Sequence, residues 1–349
     1  MKNIVLKLEK EHFLRDEEFR LLLENEREET LMLLAERADK VRRKVYGTDI
    51  YLRGLIEFTN YCKNDCYYCG IRRSNSDAER YRLTDEQIYD CCKIGYELGF
   101  RTFVLQGGED GCFTDDNLVE IIKTIRQNYP DCALTLSIGE KSYESYKRYF
   151  DAGADRYLLR HETANSIHYG KLHPKNLLLE NRKKCLYNLK EIGYQVGCGF
   201  MVGSPFQTTK SIIDDLKFIR DLNPHMVGIG PFIPHKNTPF KAYEQGSLDL
   251  TLKLLSVIRL MLPNVLLPST TALGTIHPLG REKGVLAGAN VVMPNLSPRN
   301  VRKKYLLYDN KICTGDEAAE CIVCMKNRMK SIGYKVVVNR GDYKEINGE

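Results

Sequence analysis

Apolar runs of strand length recur along the chain at 51–58, 102–105, 133–138, 156–159, 195–202, 226–229, 265–268 and 290–293. Between them, at 85–98, 115–128, 178–192, 209–222 and 250–262, apolar residues return every three or four positions, which is the spacing of amphipathic helices. Thr84 stands where the first of these helices needs an N-cap. Nearly continuous apolar strands alternating with helices predict a parallel sheet, because parallel strands need crossover connections. Eight such units close most naturally into a complete (β/α)8 barrel, an α/β fold; an open doubly wound sheet is the competing arrangement.

Ahead of the alternation, 17–46 is charged and leucine-rich, with Phe19, Leu22, Leu23, Leu31, Leu34, Ala35 and Ala38 at helical spacing, and predicts one or two helices. Beyond Pro298 the alternation stops. The expected organisation is an N-terminal helical extension (1–48), the barrel (49–298) and a cysteine-containing extension (299–349). The last is too short for an ordinary independent domain and is expected to fold back over the barrel.

Composition narrows the class. The 349 residues are 43% hydrophobic, with no tryptophan, as in ordinary globular proteins. A net charge of +6 is spread over the chain, so nucleic acid is not an expected partner, although anionic ligands are tolerated. Arg42-Arg43-Lys44, Lys183-Lys184 and Arg302-Lys303-Lys304 read as solvated helix faces. No stretch approaches a membrane span, and the first residues alternate charge with apolar side chains instead of forming a secretory signal. A cytoplasmic protein is expected, with no membrane partner. In that reducing compartment the 12 cysteines read as metal ligands and buried thiols.

Barrel chemistry sits where strands end and loops begin. Here those positions are polar or glycine-rich: Asn60, Gln106-Gly107-Gly108-Glu109, Ser137 with Gly139-Glu140, Arg160-His161-Glu162-Thr163, Gly203, Gly230-Pro231, Ser269-Thr270-Thr271 and Pro294-Asn295. Directly after the first strand, Cys62, Cys66 and Cys69 place three thiols within eight residues. A protein-bound cubane iron–sulfur cluster takes four thiolates; three leave one iron open to a small molecule and so distinguish catalysis from electron storage. A structural zinc site would want four closed ligands, and no partner pair accompanies the triplet. Gly107 and Gly108 allow a ligand close to the backbone. Arg160 and Glu162 are either an internal ion pair or, with Arg182 downstream, a clamp for a zwitterion. Cys313, Cys321 and Cys324 are by spacing a second iron–sulfur site, a zinc site or coincidental thiols. Most of Cys91, Cys92, Cys112, Cys132, Cys185 and Cys198 read as small buried hydrophobes. His161 reads as a histidine satisfied by its neighbours.

The C-x3-C-x2-C triplet with Tyr68 before its last cysteine resembles the signature of the radical S-adenosylmethionine superfamily. The stretches IEFTNYCKNDCYYCGIRR, YRLT, VLQ-GED, AGADRYLLRHETAN, ENR, MVGIGPFIPH, TPF, TTALGTI and ANVVMPN resemble, in order, the HydE family of iron–iron hydrogenase maturases over about 51–324. The resemblance implies a 4Fe–4S cluster on Cys62, Cys66 and Cys69. It also implies S-adenosylmethionine held by Tyr68, Gly107, Gly108, Glu109, Ser137, Glu162 and Arg182, and cleaved reductively to a 5′-deoxyadenosyl radical. A long basic cavity would be lined by Arg53, Gln106, Arg160, Thr270, Thr271 and Met293. Cys313, Cys321 and Cys324 would carry a second, dispensable cluster, 2Fe–2S or 4Fe–4S.

The implied function is maturation of the hydrogenase, the radical acting on an iron-bound cysteine precursor of its di-iron subcluster. Implied partners are a small anionic organometallic or amino-acid substrate, the other maturases in transient contact, and an electron donor such as ferredoxin or flavodoxin. The competing enzyme readings are an amino-acid mutase of the methylornithine synthase type and sulfur insertion resembling biotin synthase. A non-catalytic iron–sulfur carrier is disfavoured by three ligands in place of four.

Overall fold

A computed structural model describes residues 1–315 and 318–345, the side chains of 318–321 excepted. Three helices lead the chain: α1 (Lys2–Glu11), α2 (Asp16–Leu23) and α3 (Glu28–Tyr46). α3 buries Leu34, Ala38, Arg42 and Tyr46, one face at four-residue spacing, and packs along α10, defined below. The sequence pattern foresaw α2 and α3; α1 is additional.

The alternation then runs β1 (Asp49–Leu52), β2 (Gly54–Thr59), α4 (Asp85–Glu97), β3 (Thr102–Gly107), α5 (Asp115–Asn128), β4 (Ala133–Ser137), α6 (Tyr143–Ala152) and β5 (Arg156–Leu158). It continues with α7 (Ser166–Leu172), α8 (Leu179–Ile192), β6 (Gln195–Cys198), β7 (Met201–Val202), α9 (Thr209–Leu222), β8 (Met226–Val227), β9 (Gly230–Pro231), α10 (Leu248–Met261), α11 (Thr271–Ile276), α12 (Gly280–Leu286) and β10 (Val291–Val292). The end holds α13 (Arg299–Arg302), α14 (Ala318–Ser331) and β11 (Lys335–Val337). Thr84 does cap α4, accepting from the Gln87 N–H, and the Gln87 side chain returns to the cap backbone.

Six strands, in the order β2-β3-β4-β5-β6-β8, form one parallel sheet. The complete eight-stranded barrel expected from the pattern is not a continuous sheet. Beyond β8, Leu266 bridges Met226, Pro268 bridges Val291, and Asn295 bridges Leu55. β10 pairs with β1, and β7 pairs with β9 as a separate ribbon. The interruptions have local causes. Gly199, at φ +152, abuts the backbone of Gly228 and breaks the run 195–202, and prolines at 231 and 268 lack the N–H a ladder needs.

The tail adds a strand that the sequence pattern does not signal: β11 pairs parallel with β1 on the edge opposite β10. Past it, Asp342 pairs with the buried Arg156 at 2.6 Å, Arg340 with Asp155 at 3.0 Å, and the Asn264 side chain donates to the Lys344 carbonyl at 2.7 Å. The tail therefore seals the end where the strands begin.

That seal is pH-sensitive. Burial pushes the Asp342 carboxyl up, but Arg156 and Arg340 outweigh it and bring it from its ordinary 3.8 down to about 2. Such a drop corresponds to about 2 kcal/mol, reduced to about 1 kcal/mol because the side chain is 40% exposed. A depressed carboxylate stabilises the fold above its unfolded value and stops doing so as pH falls through its folded value. Asp342→Asn is expected to lose about 1 kcal/mol in urea unfolding at neutral pH, the difference from wild type shrinking as pH drops from 3.8 toward 2.

Candidate active site

Cys62, Cys66 and Cys69 lie on the loop that leaves β2, and the loop is held by its own polar residues. The Arg80 guanidinium donates to the carbonyls of Asn60, Ile71, Arg72 and Asn75 at 2.5–3.2 Å. Arg72 grips Asp65 with two bonds of 2.7 and 2.6 Å, and Arg72 holds that carboxyl well below the usual carboxylate range. Asp65 in turn accepts from the N–H and hydroxyl of Ser74. A loop bound this often is rigid before any ligand arrives.

The three thiols are only partly exposed. Burial pushes all of them up, Cys66 to about 12, so a cation must come with the thiolate form. Among the described residues no three His, Cys, Asp or Glu side chains are grouped to hold a single metal ion. A cubane cluster is broader than an ion and is bound from several sides. The donor set suits it: the Glu109 N–H already points at Cys62 Sγ, 3.4 Å away.

Gly108 makes that approach possible. A Cβ there would stand 2.2 Å from the Tyr61 carbonyl and 2.7 Å from Cys62 Cβ, neither of which can give way cheaply.

From Cys62 a chain of contacts crosses four strand ends. Glu109 accepts from the Glu140 N–H at 3.0 Å, Glu140 accepts from Arg182 Nε at 2.5 Å, and Arg182 donates to the Arg160 carbonyl at 2.9 Å. Arg160 lies 3.2 Å from Glu162. That last pair is imperfect: Arg160 Nε and Nη2 and Glu162 Oε2 are buried without a hydrogen-bond partner. Glu162 also takes φ +64, strain of a kind that clusters where ligands bind. Behind it, His161 accepts from the Gly199 N–H and sits 3.3 Å from Asp215, both fully buried. Burial brings His161 down to about 3, which fits a neutral structural histidine.

The remaining expected residues divide by height along the strands. Ser137 and Gln106 pair side by side at the upper ends of β4 and β3, and Gln106 reaches the Tyr305 hydroxyl at 3.4 Å. Thr270 caps α11 and Thr271 accepts from Arg281. Met293, just past β10, is half-buried. Tyr68 meets His173 at 3.2 Å. Arg53 does not join them. It precedes β2, about 20 Å below the cysteine loop at strand rise, and lines a small cavity with Thr135, Arg156, Gln195, His225 and Met226, large enough for about one water molecule. Arg182 gives its Nε to Glu140 and its Nη1 to the Arg160 carbonyl.

Other residues escape the sequence pattern. Glu57, inward on β2, pairs with Lys311 at 2.5 Å and accepts from Asn295 at 2.7 Å, and Lys311 donates to the Tyr305 carbonyl at 3.0 Å. The segment after α13 thus reaches into the mouth. The signal was present in Glu57, a charge within an apolar run at the same parity as Arg53. Of the tail thiols, Cys313 receives Arg281 Nη1 at 3.6 Å, Cys324 is exposed, and the Cys321 side chain lies outside the described residues. Cys91, Cys92, Cys132, Cys185 and Cys198 are buried as expected; Cys112 is exposed.

Gly108→Ala tests the geometry directly. The displaced loop is expected to retain less than about half the wild-type iron after anaerobic reconstitution, by iron analysis and visible absorbance, while thermal unfolding changes by only a few degrees, about 1–2 kcal/mol.

Residues 56–219 match the radical SAM superfamily. The chain is 43% identical over 347 residues to the [FeFe] hydrogenase maturase subunit HydE of Thermotoga maritima, covering 99% of this chain and 98% of that one. It is 28% identical over 326 residues to 3-methylornithine synthase of Methanosarcina acetivorans, covering 92% and 89%. The crystal structure of methylornithine synthase (PylB) superposes with a TM-score of 0.86 at 28% identity, over 96% of this chain and 97% of that one. With a half-buried cysteine triplet on the loop after β2 and a full-length relative of this similarity, the chain belongs to the HydE family of [FeFe] hydrogenase maturases within the radical SAM superfamily.

Proposed function

We propose that the protein is a radical S-adenosylmethionine enzyme of [FeFe] hydrogenase maturation. The observation that carries this is the 43% identity to the HydE subunit of Thermotoga maritima over 99% of the chain. The reading takes 1–48 as a helical extension, 49–298 as a barrel closed by the bridges at 266, 268 and 295, and 299–349 as a cysteine-bearing extension. It places the protein in the cytoplasm; among the described residues no helix is long and apolar enough to cross a membrane.

Cys62, Cys66 and Cys69 hold the 4Fe–4S cluster, and the Glu109 N–H offsets charge on Cys62. When bound, the cluster supplies the electron that splits S-adenosylmethionine into methionine and a 5′-deoxyadenosyl radical. Gly107 and Gly108 leave backbone room for the methionine amino group. Glu162, whose Oε2 makes no hydrogen bond and only an ion pair with Arg160, takes an ammonium or ribose hydroxyl. Arg160, whose Nε and Nη2 make no hydrogen bond, Nη2 lying 3.2 Å from Glu162 in an ion pair, takes a substrate anion. Arg182 acts through Glu140, which it holds in place, and through the Arg160 backbone. Ser137, Gln106, Thr270, Thr271 and Met293 line the chamber; Tyr305 and Lys311 cover it and exclude water.

The substrate is taken to be an iron-bound cysteine carrying carbonyl and cyanide, an anion suited to Arg160. Cys313, Cys321 and Cys324 are assigned an auxiliary cluster that turnover does not need, and the other maturases and a ferredoxin or flavodoxin are the expected partners. An amino-acid mutase is the second reading, on the likeness to methylornithine synthase. Sulfur insertion of the biotin synthase kind is not supported. Its auxiliary cluster needs barrel cysteines on one level, whereas Cys132 precedes β4 and Cys198 ends β6, at opposite ends of the strands.

Anaerobically reconstituted and reduced, the protein is expected to release 5′-deoxyadenosine in amounts raised by the iron–cysteine complex and not by lysine. Stimulation by lysine with a new amino-acid product would move it to the mutase branch. Cys66→Ala abolishes release, and Cys324→Ser keeps more than about half of it. Glu162→Gln raises KM for S-adenosylmethionine roughly tenfold or more, since it removes a hydrogen bond to charge worth about 1.5–3 kcal/mol; an unchanged KM would remove Glu162 from the cofactor site.

A further inference from the structure

The face beside the cysteine loop is apolar, exposed and ringed by lysine. Segments 166–178, 203–213 and 231–243 carry Lys171, Lys175, Lys210, Lys236 and Lys241; the acids at their edge are Asp214, which pairs with Lys210 at 3.4 Å, Glu244, and Asp309, which accepts from the Lys236 N–H at 2.7 Å. The fold brings the three together. The His168 ring bonds the Pro205 carbonyl at 3.0 Å, the Lys171 ammonium lies 4.9 Å from the centre of the Phe206 ring, and Phe206 packs against Phe240 and Tyr243 at 6.1 and 5.5 Å.

Phe206 is 45% exposed and sits at φ +66, a conformation that is an outlier for a bulky residue. Strain spent on displaying an aromatic ring to water needs an explanation other than stability. The patch is also continuous with the candidate cluster site. Phe240 contacts Tyr67 at 6.2 Å, Tyr67 stands between Cys66 and Tyr68, and its N–H donates to the Leu172 carbonyl at 3.0 Å.

The geometry points to this face as the docking surface for a small acidic protein that carries one electron to the cluster, with Phe206 and Tyr243 as the apolar centre and Lys171 and Lys241 in the steering rim. The inference rests on the reading that Cys62, Cys66 and Cys69 hold a reducible cluster. The occupant follows from charge, since a patch whose five lysines outnumber the acids at its rim, Asp214, Glu244 and Asp309, attracts an acidic partner. It also follows from position, since a donor docked here comes within a few side chains of the thiols. One electron leaves the carrier's reduced flavin or iron–sulfur centre and enters the 4Fe–4S cluster; the carrier is oxidised by one, the cluster reduced by one, and no atom moves. Redox encounters of this kind use small interfaces, which suits a patch of a few rings.

The test uses the reconstituted enzyme with flavodoxin hydroquinone as the probe and reduced ferredoxin as a second arm. Cluster reduction is followed by visible absorbance, and binding of oxidised flavodoxin by calorimetry at low and high salt. The double variant Lys171→Glu, Lys241→Glu and, separately, Phe206→Asp are expected to slow carrier-driven reduction at least about tenfold and to weaken binding. Reduction by dithionite stays at the wild-type rate, and Lys40→Glu, on α3, behaves as wild type. If the lysine variant accepted electrons from both carriers as fast as wild type, or if Lys40→Glu lowered the rate equally, the docking surface would be wrong. Failure of dithionite to reduce the wild-type protein would instead overturn the cluster reading beneath it.

Discussion

The contact between Arg182 and Glu140 is what the mouth of this protein is organised around. A buried guanidinium needs a partner, and removing one member of such a pair is costly because the other charge stays behind. Here the partner arrives from the loop after β4, while the arginine arrives from α8, so neither element can shift alone. Arg182 also donates to the Arg160 carbonyl, and the Glu140 N–H is tied to Glu109, whose own N–H faces Cys62. One ion pair therefore places loops from four strands relative to the three thiols. Radical chemistry needs that fixity, because a species generated at one end of the chamber must meet its substrate before it meets water.

The C-terminal extension completes the enclosure from both sides. Its end lays Asp342 against Arg156 below, and its beginning lays Lys311 against Glu57 above. Both pairs put a buried charge from the sheet region against a charge from the tail, which explains how the fold can bury arginine and glutamate without large desolvation penalties. Arg53 is the exception, with Nε and Nη2 unpartnered, and it sits far from the thiols.

Much of this was readable in the chain. The helices at 85–97, 115–128 and 209–222 follow the apolar spacing almost to the residue, because each buries one stripe against the sheet. The cysteine loop was readable because its chemistry is local: three thiols within eight residues are neighbours in any fold. Less was readable where a residue's height or partner mattered. Arg53 and Glu57 fall at the same parity four residues apart, yet one lies at the floor and the other at the mouth. Arg182 is one arginine on an amphipathic helix until Glu140 arrives to bind it. β11, a short half-exposed strand in a charged tail, carries no periodic signal, and it forms because β1 offers it an edge.

The sequence by itself determined the alternating α/β class, the cysteine loop at a strand end and the kinship to the radical S-adenosylmethionine enzymes, since each depends on spacing along the chain. Tertiary structure decided which charges meet: Arg182 with Glu140, Lys311 with Glu57, Asp342 with Arg156. It also decided that the strand ring is an arc continued by single bridges, where prolines and close glycine contacts interrupt the ladder. The reason is physical. Periodicity records which face of an element is buried, but the identity of the group waiting on the other side is set by chain segments 42, 254 and 186 residues away.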